Sequence, residues 1–189
     1  MSLQATTWQT VGPYFRIGLA RLYESDIYGE SVPGQRIYIR GRVFDGDLQP
    51  IPDALLEIWQ ANSYGKYAHP DDQQDKPLEP GFRGFGRIAT DDDGRFHFTT
   101  IKPGPVPGRG GEEQAPHLLV TLMMRGLLRG LFTRIYFPEE PLNASDPILQ
   151  SVDPVRQETL LLCPEANDPG HFTWEIHMQG ENETVFFEL

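Results

Sequence analysis

The stretch LLEIWQANSYGKY, residues 55–67, runs from an apolar segment through Trp59 into a polar turn and ends on Tyr67. Between residues 54 and 60 both faces of the alternating pattern are mostly apolar, which predicts a strand inside a sheet rather than at its edge. The Asn, Ser and Gly residues at 62–65 then interrupt the pattern, as loop residues do. Tyr67 is therefore expected just beyond a rigid core strand, where scaffolds often present functional side chains. On these residues alone, a packing role for Tyr67 is the simpler interpretation.

Short apolar strands separated by turns recur along the whole chain, and no segment shows a long helical period. The 19 glycines and 17 prolines are spread evenly and suit many connecting turns. Asp91–Gly94 predicts a hairpin turn, and residues 158–163 suit a strand or a helical turn equally well. We predict an all-β fold, an antiparallel β-sandwich or barrel with long loops. The predicted strands are 36–45, 54–60, 84–90, 95–101, 117–124, 131–137, 171–178 and 185–189.

The first 35 residues are predicted to form an N-terminal arm and an irregular connection ahead of the sheet. A chain of 189 residues is expected to fold as a single domain, 1–189, of which 1–35 is this arm. Within the arm, residues 8–19 read WQTVGPYFRIGL and carry three aromatic side chains, with a turn predicted at Gly12-Pro13. An arm this aromatic must bury its side chains, either on its own domain or against a partner subunit.

Composition excludes several classes of partner and location. The formal net charge of −11 argues against nucleic acid and against an anionic membrane surface, because both require a basic face. The lone Cys163 allows no intrachain disulfide, as expected in a reducing cytoplasm. The first residues lack the basic and apolar regions of a signal peptide, and the longest apolar run, 118–124, is too short to cross a bilayer.

Few residues suggest chemistry by their spacing. None of the five histidines forms an HxH or HExxH pair, so spacing alone identifies no metal site. His117 opens a predicted core strand and is the best single ligand candidate, although a lone histidine there is more often structural. Arg134 lies within a predicted strand and is the best candidate for an anion-binding or interface residue, the alternative being an internal salt bridge.

Three segments together carry a family resemblance. The stretch at 55–67, TDDDGRFHFTTIKPG at 90–104 and APH at 115–117 resemble the intradiol aromatic-ring dioxygenases, and the similarity covers nearly the whole chain. The resemblance implies a β-sandwich of a family that uses non-haem Fe(III) to cleave catechols between their two hydroxyls. Within the family, QTVGPYFRIGL at 9–19, RIYF at 134–137 and QGENETVFFEL at 179–189 resemble the α subunit of a two-subunit member.

The resemblance also assigns the iron-ligand positions. The catalytic subunit of the family holds iron with two tyrosines and two histidines, and the matching positions here are Tyr67, Val106, His117 and Leu119. An arginine shortly before the histidine pair is matched by Gln114. Valine and leucine cannot coordinate a metal. The resemblance therefore implies a degenerate site, with Tyr67 and His117 in structural roles and the Fe(III) bound by a partner β subunit in a hetero-oligomer.

In the same way, the resemblance implies that Thr10, Tyr14 and Arg134 complete the aromatic-substrate pocket of the iron-bearing β subunit. Arg134 would suit a carboxylate on that substrate. The chain would then be part of a dioxygenase without being active alone. Two alternatives remain open at this point. One is a self-sufficient homomeric dioxygenase that uses His69 or Tyr64 as substitute ligands, and the other is a non-enzymatic transthyretin-like or carbohydrate-binding β-sandwich.

Overall fold

The computed structural model describes residues 12–29, 32–108, 110–166 and 168–188. Thr10 and the other residues of the first eleven, at the start of the N-terminal arm, lie outside these residues. Within these ranges there are two short α-helices, α1 (Pro13–Leu19) and α2 (Pro154–Gln157). The strands are β1 (Arg36–Phe44), β2 (Leu55–Trp59), β3 (Phe85–Ala89), β4 (Arg95–Ile101), β5 (Val106–Pro107), β6 (Glu113–Gln114), β7 (His117–Met123), β8 (Leu131–Tyr136), β9 (Cys163–Pro164) and β10 (His171–His177).

These strands form two four-stranded sheets and one small ribbon. The first sheet has the order β4-β1-β10-β9, the second has the order β3-β2-β7-β8, and β5 pairs with β6. One apolar cluster contains buried residues of both sheets, including Ile39 and Phe98 from the first and Ile58 and Leu118 from the second. The prediction of a strand-rich fold is confirmed. Among the residues that the structure describes, no helix has the length and apolar character needed to cross a membrane.

Strand positions follow the alternating pattern closely, but strand direction does not. The predicted strands at 36–45, 54–60 and 117–124 are confirmed as β1, β2 and β7. The antiparallel prediction is wrong for β1 and β10, which pair in parallel with Tyr38 opposite His171. More than a hundred residues separate these two strands, so no tight turn fixes their relative direction. The alternating pattern of side chains indicates only which face of a strand is buried, and it does not indicate the direction of its partner.

The turn at Asp91–Gly94 is present, but it is not a hairpin. The Asp91 amide donates to the Arg95 carbonyl at 2.9 Å, and Gly94 has a φ of +71°. However, β3 pairs with β2 whereas β4 pairs with β1, so this turn carries the chain from one sheet to the other. An Asp-Gly turn predicts a reversal of the chain, and it does not determine which strands become partners.

Two other segments differ from the sequence-based expectation, and for a third, 158–163, the sequence left a strand and a helical turn both open. The strand predicted at 185–189 is wrong for its described residues, since 185–188 contribute a single bridge from Phe187 to Phe132. Residues Glu158–Leu160 form a 3-10 turn that leads into β9. The segment 102–114, expected to be a loop, contains the ribbon of β5 and β6. Strands of two residues are too short to produce a periodic signal.

Helix α1 was not predicted, because Gly12-Pro13 was interpreted as a turn. Gly12 caps the helix in an extended conformation and Pro13 occupies its first turn, where a proline loses no hydrogen bond. The Arg16 guanidinium anchors α1 by donating to the Pro52 carbonyl at 2.7 Å and to the Thr90 carbonyl at 3.0 Å. Both carbonyls lie at the end of the second sheet where β2 begins.

Candidate functional site

The loop after β2 places Tyr67 beside Val106. The Asn62 side-chain oxygen accepts from the amides of Tyr64 and Lys66 at 3.1 and 2.9 Å, which holds the turn. Gly65 has a φ of +78°, and a Cβ added there would lie 1.9 Å from the Pro105 carbonyl oxygen. Only glycine therefore allows this loop to approach the segment containing Val106 so closely.

Tyr67 is packed as an uncharged phenol. Its ring stacks on Trp59 with a centroid distance of 5.8 Å and an interplanar angle of 6°, and its amide donates to Asp72 Oδ2 at 2.7 Å. Burial raises the pKa of Tyr67 to about 12, although the positive charge of Arg134 acts in the opposite direction. In the chain by itself, Tyr67 is therefore a neutral phenol at physiological pH.

His117 is buried at the start of β7 and is held as a neutral ring. Its Nδ1 lies 2.7 Å from the Ala115 carbonyl oxygen, so Nδ1 carries the proton and donates. Burial, and to a smaller extent the charge of Arg134, lower the pKa of His117 to about 4. The ring also lies 5.8 Å from the ring of Tyr136. At neutral pH His117 therefore contributes a satisfied internal hydrogen bond rather than a charge.

The two lost ligand positions also border Arg134. Leu119 on β7 lies directly between Trp59 of β2 and Arg134 of β8 in the sheet register. Val106 on β5 is opposite Gln114 on β6, and the Gln114 side-chain oxygen accepts from Arg134 Nη1 at 2.8 Å. Arg134 therefore lies next to Leu119 and its charge reaches Tyr67 and His117, whereas it is related to Val106 only through Gln114. No pattern in the sequence indicated this arrangement.

Arg134 is half-buried and has neutral partners. Besides Gln114, its Nη1 contacts the Tyr136 hydroxyl at 3.3 Å. Within the described part of the chain it forms no salt bridge, so the internal ion pair considered from the sequence is not found there. Its charge still reaches both surviving ligand positions, since it lowers the pKa of Tyr67 against the effect of burial and lowers the pKa of His117 in the same direction as burial.

A buried carboxylate, Asp146, lies beneath Tyr136 and supports the position of Arg134, and sequence reasoning missed it. Asp146 is fully buried, and its Oδ1 accepts from the Leu149 amide at 2.8 Å, the Ile148 amide at 2.9 Å and the Tyr136 hydroxyl at 3.2 Å. Its Oδ2 accepts from the Ala115 amide at 2.8 Å. The Asp-Pro pair in the sequence is a turn signal, but nothing in it reveals burial beneath Tyr136.

Trp59 separates two cavities, and the matched ligand positions do not share one of them. The larger cavity, about 770 Å³, is lined by Trp59, Tyr67, Val106 and acidic loop residues. The smaller cavity, about 360 Å³, is lined by Trp59, Leu119 and Arg134. His117 is among the lining residues of neither. The structure therefore brings Tyr67 and Val106 together and places Leu119 on the other side of Trp59.

Of the predicted pocket residues, the structure describes Tyr14 and Arg134, and these two lie apart. Tyr14 lies on α1 with 83% of its surface exposed, and Arg16 anchors this helix near the start of β2. Arg134 lies across β7 from Trp59, at the other end of β2. A five-residue strand spans about 14 Å between its ends. Tyr14 and Arg134 are thus on opposite sides of the second sheet's centre.

The donor set does not fit an Fe(III) centre. Two of the four matched positions, Val106 and Leu119, carry hydrocarbon side chains, which leaves Tyr67 and His117 as the only donors among the four. Among the described residues, no group of three or more His, Cys, Asp or Glu side chains is arranged to hold a metal ion. His69 lines the larger cavity, while Tyr64 is 48% exposed and is not among its lining residues.

Comparison with known proteins identifies the class. Residues 12–180 match a family described as Dioxygenase, and this chain belongs to that family. The chain is homologous over its full length to dioxygenase α chains. It is 37% identical to the protocatechuate 3,4-dioxygenase alpha chain of Burkholderia cepacia, over 100% of this chain and 99% of that protein. It is 38% identical to the alpha chain of the same name from Pseudomonas putida, over 99% and 98%.

Other relatives show that both subunit types are related to this chain. The protocatechuate 3,4-dioxygenase beta chain of Burkholderia cepacia is 38% identical over 80% of this chain and 67% of that protein. Among solved structures, the dioxygenase domain of a carbohydrate-binding fusion protein from Streptomyces sp. SirexAA-E matches with a TM-score of 0.62 and 28% identity, over 86% and 89% of the two chains. Family membership favours a dioxygenase over the transthyretin-like alternative.

Proposed function

We propose that this chain is the α subunit of a protocatechuate 3,4-dioxygenase and that a β subunit carries the iron. One observation carries the proposal. Val106 and Leu119 stand where the family has metal ligands, in a chain that is similar to α chains along its full length. In the assembled enzyme, protocatechuate and O2 would be converted to 3-carboxy-cis,cis-muconate. The ring-opening chemistry would belong to the β subunit.

The α subunit would contribute an interaction surface and part of the substrate pocket. Tyr14, Phe15 and Ile17 on α1 are exposed by 83%, 43% and 67%, which supports packing of the arm, 1–35, on a partner. Thr10 and Tyr14 would approach the partner's substrate from the arm, and Arg134 would approach it from the other end of β2. The two sheets would pack as the β-sandwich of the intradiol type.

An environment that keeps thiols reduced is part of the proposal. Cys163 is a free, exposed cysteine. Exposed free thiols persist in reducing compartments and are oxidised or paired elsewhere. We therefore propose that the hetero-oligomer acts in the cytoplasm.

The iron content and colour of the purified chain test whether the iron is bound by the β subunit and not by this chain. The chain purified alone is expected to be colourless and free of iron, whereas co-expression with a homologous β chain gives a coloured complex that cleaves protocatechuate. Stoichiometric iron and tyrosinate absorption in the lone chain would contradict the proposal. That result would favour a homomeric enzyme in which His69, in the cavity beside Tyr67, replaces a lost ligand.

Steady-state kinetics of the assembled enzyme test the pocket residues. Arg134→Ala is expected to raise KM for protocatechuate about tenfold or more, because a charge-assisted hydrogen bond contributes roughly 1.5–3 kcal/mol. Tyr14→Ala is expected to raise KM by a smaller factor. Val155→Ala, at an exposed position on α2, is the matched control and leaves KM unchanged. An unchanged KM for Arg134→Ala would remove Arg134 from the substrate pocket.

A further inference from the structure

The outer face of the first sheet carries a cluster of four basic side chains, which we call the basic block. Residues of β1 and β4 alternate between the apolar core and this outer face. The outward residues Arg40 and Arg42 on β1 lie next to His97 and Arg95 on β4. The whole chain has 16 Lys and Arg residues against 27 Asp and Glu residues, so its composition does not predict three arginines side by side.

The strand register places basic residues directly opposite each other in this block. Arg42 is the Cα partner of Arg95, and Arg40 is the Cα partner of His97. The Cβ atoms of directly opposite residues are roughly 4.5–5.5 Å apart, and like charges in such a pair are destabilising. Sequences break a local pairing rule of this kind mainly at functional sites. An anion between Arg42 and Arg95 would replace their repulsion by attraction.

Arg42 has no carboxylate partner within the part of the chain that the structure describes, whereas the other two arginines have one. Arg40 is paired with Glu165 at 2.7 Å. Arg95 is paired with Asp93, but their side chains are 57% and 62% exposed, and an ion pair so exposed to water is weak. Arg42 and Arg95 are therefore the two cations of the block that a ligand could bind.

The two acidic residues nearest to this pair have other partners. Glu175 on β10 is the Cα partner of Arg42, but its Oε2 lies 3.5 Å from Nε2 of His177. Asp91 uses its Oδ1 to accept from two backbone amides of its own turn, at 2.9 and 2.8 Å. Neither carboxylate therefore neutralises Arg42.

A cavity of about 430 Å³ lies over the basic block, within the range of roughly 300–1,000 Å³ that is typical of ligand pockets. All four residues of the block line it, together with Tyr38 and Thr173. The hydroxyls of these two residues are further hydrogen-bond donors. The guanidinium of Arg42 is supported from the side by the ring of Phe44, whose centroid is 5.6 Å away. The cavity thus has donors and positive charge on several sides.

We propose that this cavity binds the phosphate group of a small phosphorylated molecule, between Arg42 and Arg95. A guanidinium is a planar fork of donors. One fork satisfies the two oxygens of a planar carboxylate, whereas a tetrahedral phosphate dianion has enough terminal oxygens to accept from two forks on opposite sides. The site lies on the first sheet, and it is independent of the iron and of the proposed α-subunit role.

Calorimetric titration of the full-length chain, alone and assembled with a β chain, tests the site. The probes are inorganic pyrophosphate and malonate, a dicarboxylate of similar size, at low ionic strength where screening is small. Pyrophosphate is expected to bind at least tenfold more tightly than malonate. Equal affinities would show that the face does not select phosphate groups and would overturn the proposal. Pyrophosphate binding that disappears in the complex would mean that the partner covers this face, and it would overturn the proposal as well.

Substitutions in the block locate the bound probe. Arg42→Gln and Arg95→Gln are each expected to lower the affinity for pyrophosphate at least tenfold, whereas Arg42→Lys loses less because it keeps the charge without the fork. Arg129→Gln, in the turn between β7 and β8, removes the same charge far from the block and is the matched control. In the complex, only the binding that Arg42→Gln removes is assigned to this site, because pyrophosphate also chelates iron. If Arg42→Gln and Arg129→Gln weaken binding equally, the attraction comes from overall charge and the proposal is wrong.

Thermal unfolding separates a binding role of Arg42 from a structural one. Without ligand, Arg42→Gln removes the like-charge pair, so its Tm is expected to equal or exceed that of the unmodified chain. Pyrophosphate is expected to raise the Tm of the unmodified chain and to leave the Tm of Arg42→Gln unchanged. A lower Tm of the ligand-free variant would show that Arg42 stabilises the fold, and the inference would fail.

Discussion

Asp146→Ala is expected to lower the free energy of unfolding by about 3–5 kcal/mol, because removing one member of a fully buried polar network leaves its partners unsatisfied. The carboxylate accepts hydrogen bonds from the amides of Ala115, Ile148 and Leu149 and from the Tyr136 hydroxyl. Among the described residues, no other group takes the place of the two Asp146 oxygens as acceptors for these donors. Urea unfolding monitored by fluorescence measures the loss.

Two matched variants separate this effect from the loss of a charge. Asp146→Asn keeps one side-chain oxygen and is expected to lose only part of the stability, about 1–3 kcal/mol. Asp71→Ala removes a carboxylate whose side chain is 92% exposed, and is expected to change stability by less than about 0.5 kcal/mol. Equal stability of Asp146→Ala and the unmodified chain would show that water satisfies these groups and that the network is not rigid.

Asp146 also connects stability to the site. Through Tyr136 it reaches Arg134, whose position depends on the Tyr136 hydroxyl and on Gln114. Loss of Asp146 is therefore expected to loosen the guanidinium as well as the fold.

The sequence predicts those features of the fold that depend on local periodicity. Alternating side chains located β1, β2 and β7 within one or two residues, because each has one face in the core. Features that depend on distant partners were not predictable. The parallel pairing of β1 with β10 and the crossing between sheets at Asp91–Gly94 are decided by how the whole chain closes, and no local signal encodes them.

The candidate site shows the same division. Family resemblance identified the positions of Tyr67, Val106, His117 and Leu119, and it showed that two of them had lost their donors. It did not indicate that Trp59 divides the region into two cavities. It also did not indicate that Arg134, chosen for a role at a partner's pocket, lies among this chain's own former ligand positions.

Acidification is expected to destabilise the protein through His117. The pKa of His117 is lowered by burial to about 4 in the folded chain, compared with about 6.5 in an unfolded one. Between these values the unfolded chain binds a proton that the folded chain does not, so stability falls as pH falls. The contribution of His117 is fully present above about pH 6.5 and is lost progressively down to about pH 4.

The size of this effect follows from the difference between the two pKa values. Each pKa unit corresponds to about 1.4 kcal/mol, so about 3 kcal/mol is lost across the whole window and about 2 kcal/mol by pH 5. His117→Gln retains a donor for the Ala115 carbonyl and cannot be protonated. This variant is expected to be less stable at pH 7, but its stability should fall by about 3 kcal/mol less than that of the unmodified chain between pH 7 and pH 4.

His97→Gln provides the control, because His97 is exposed on β4. The unfolding free energies of all three proteins, measured in urea at half-unit pH intervals, give the comparison. The His97 variant is expected to follow the unmodified chain, and the His117 variant is expected to give the flatter curve. Parallel curves for the His117 variant and the unmodified chain would mean that His117 has the same pKa in the folded and unfolded states. That result is not expected, because the ring is enclosed between Ala115 and Tyr136.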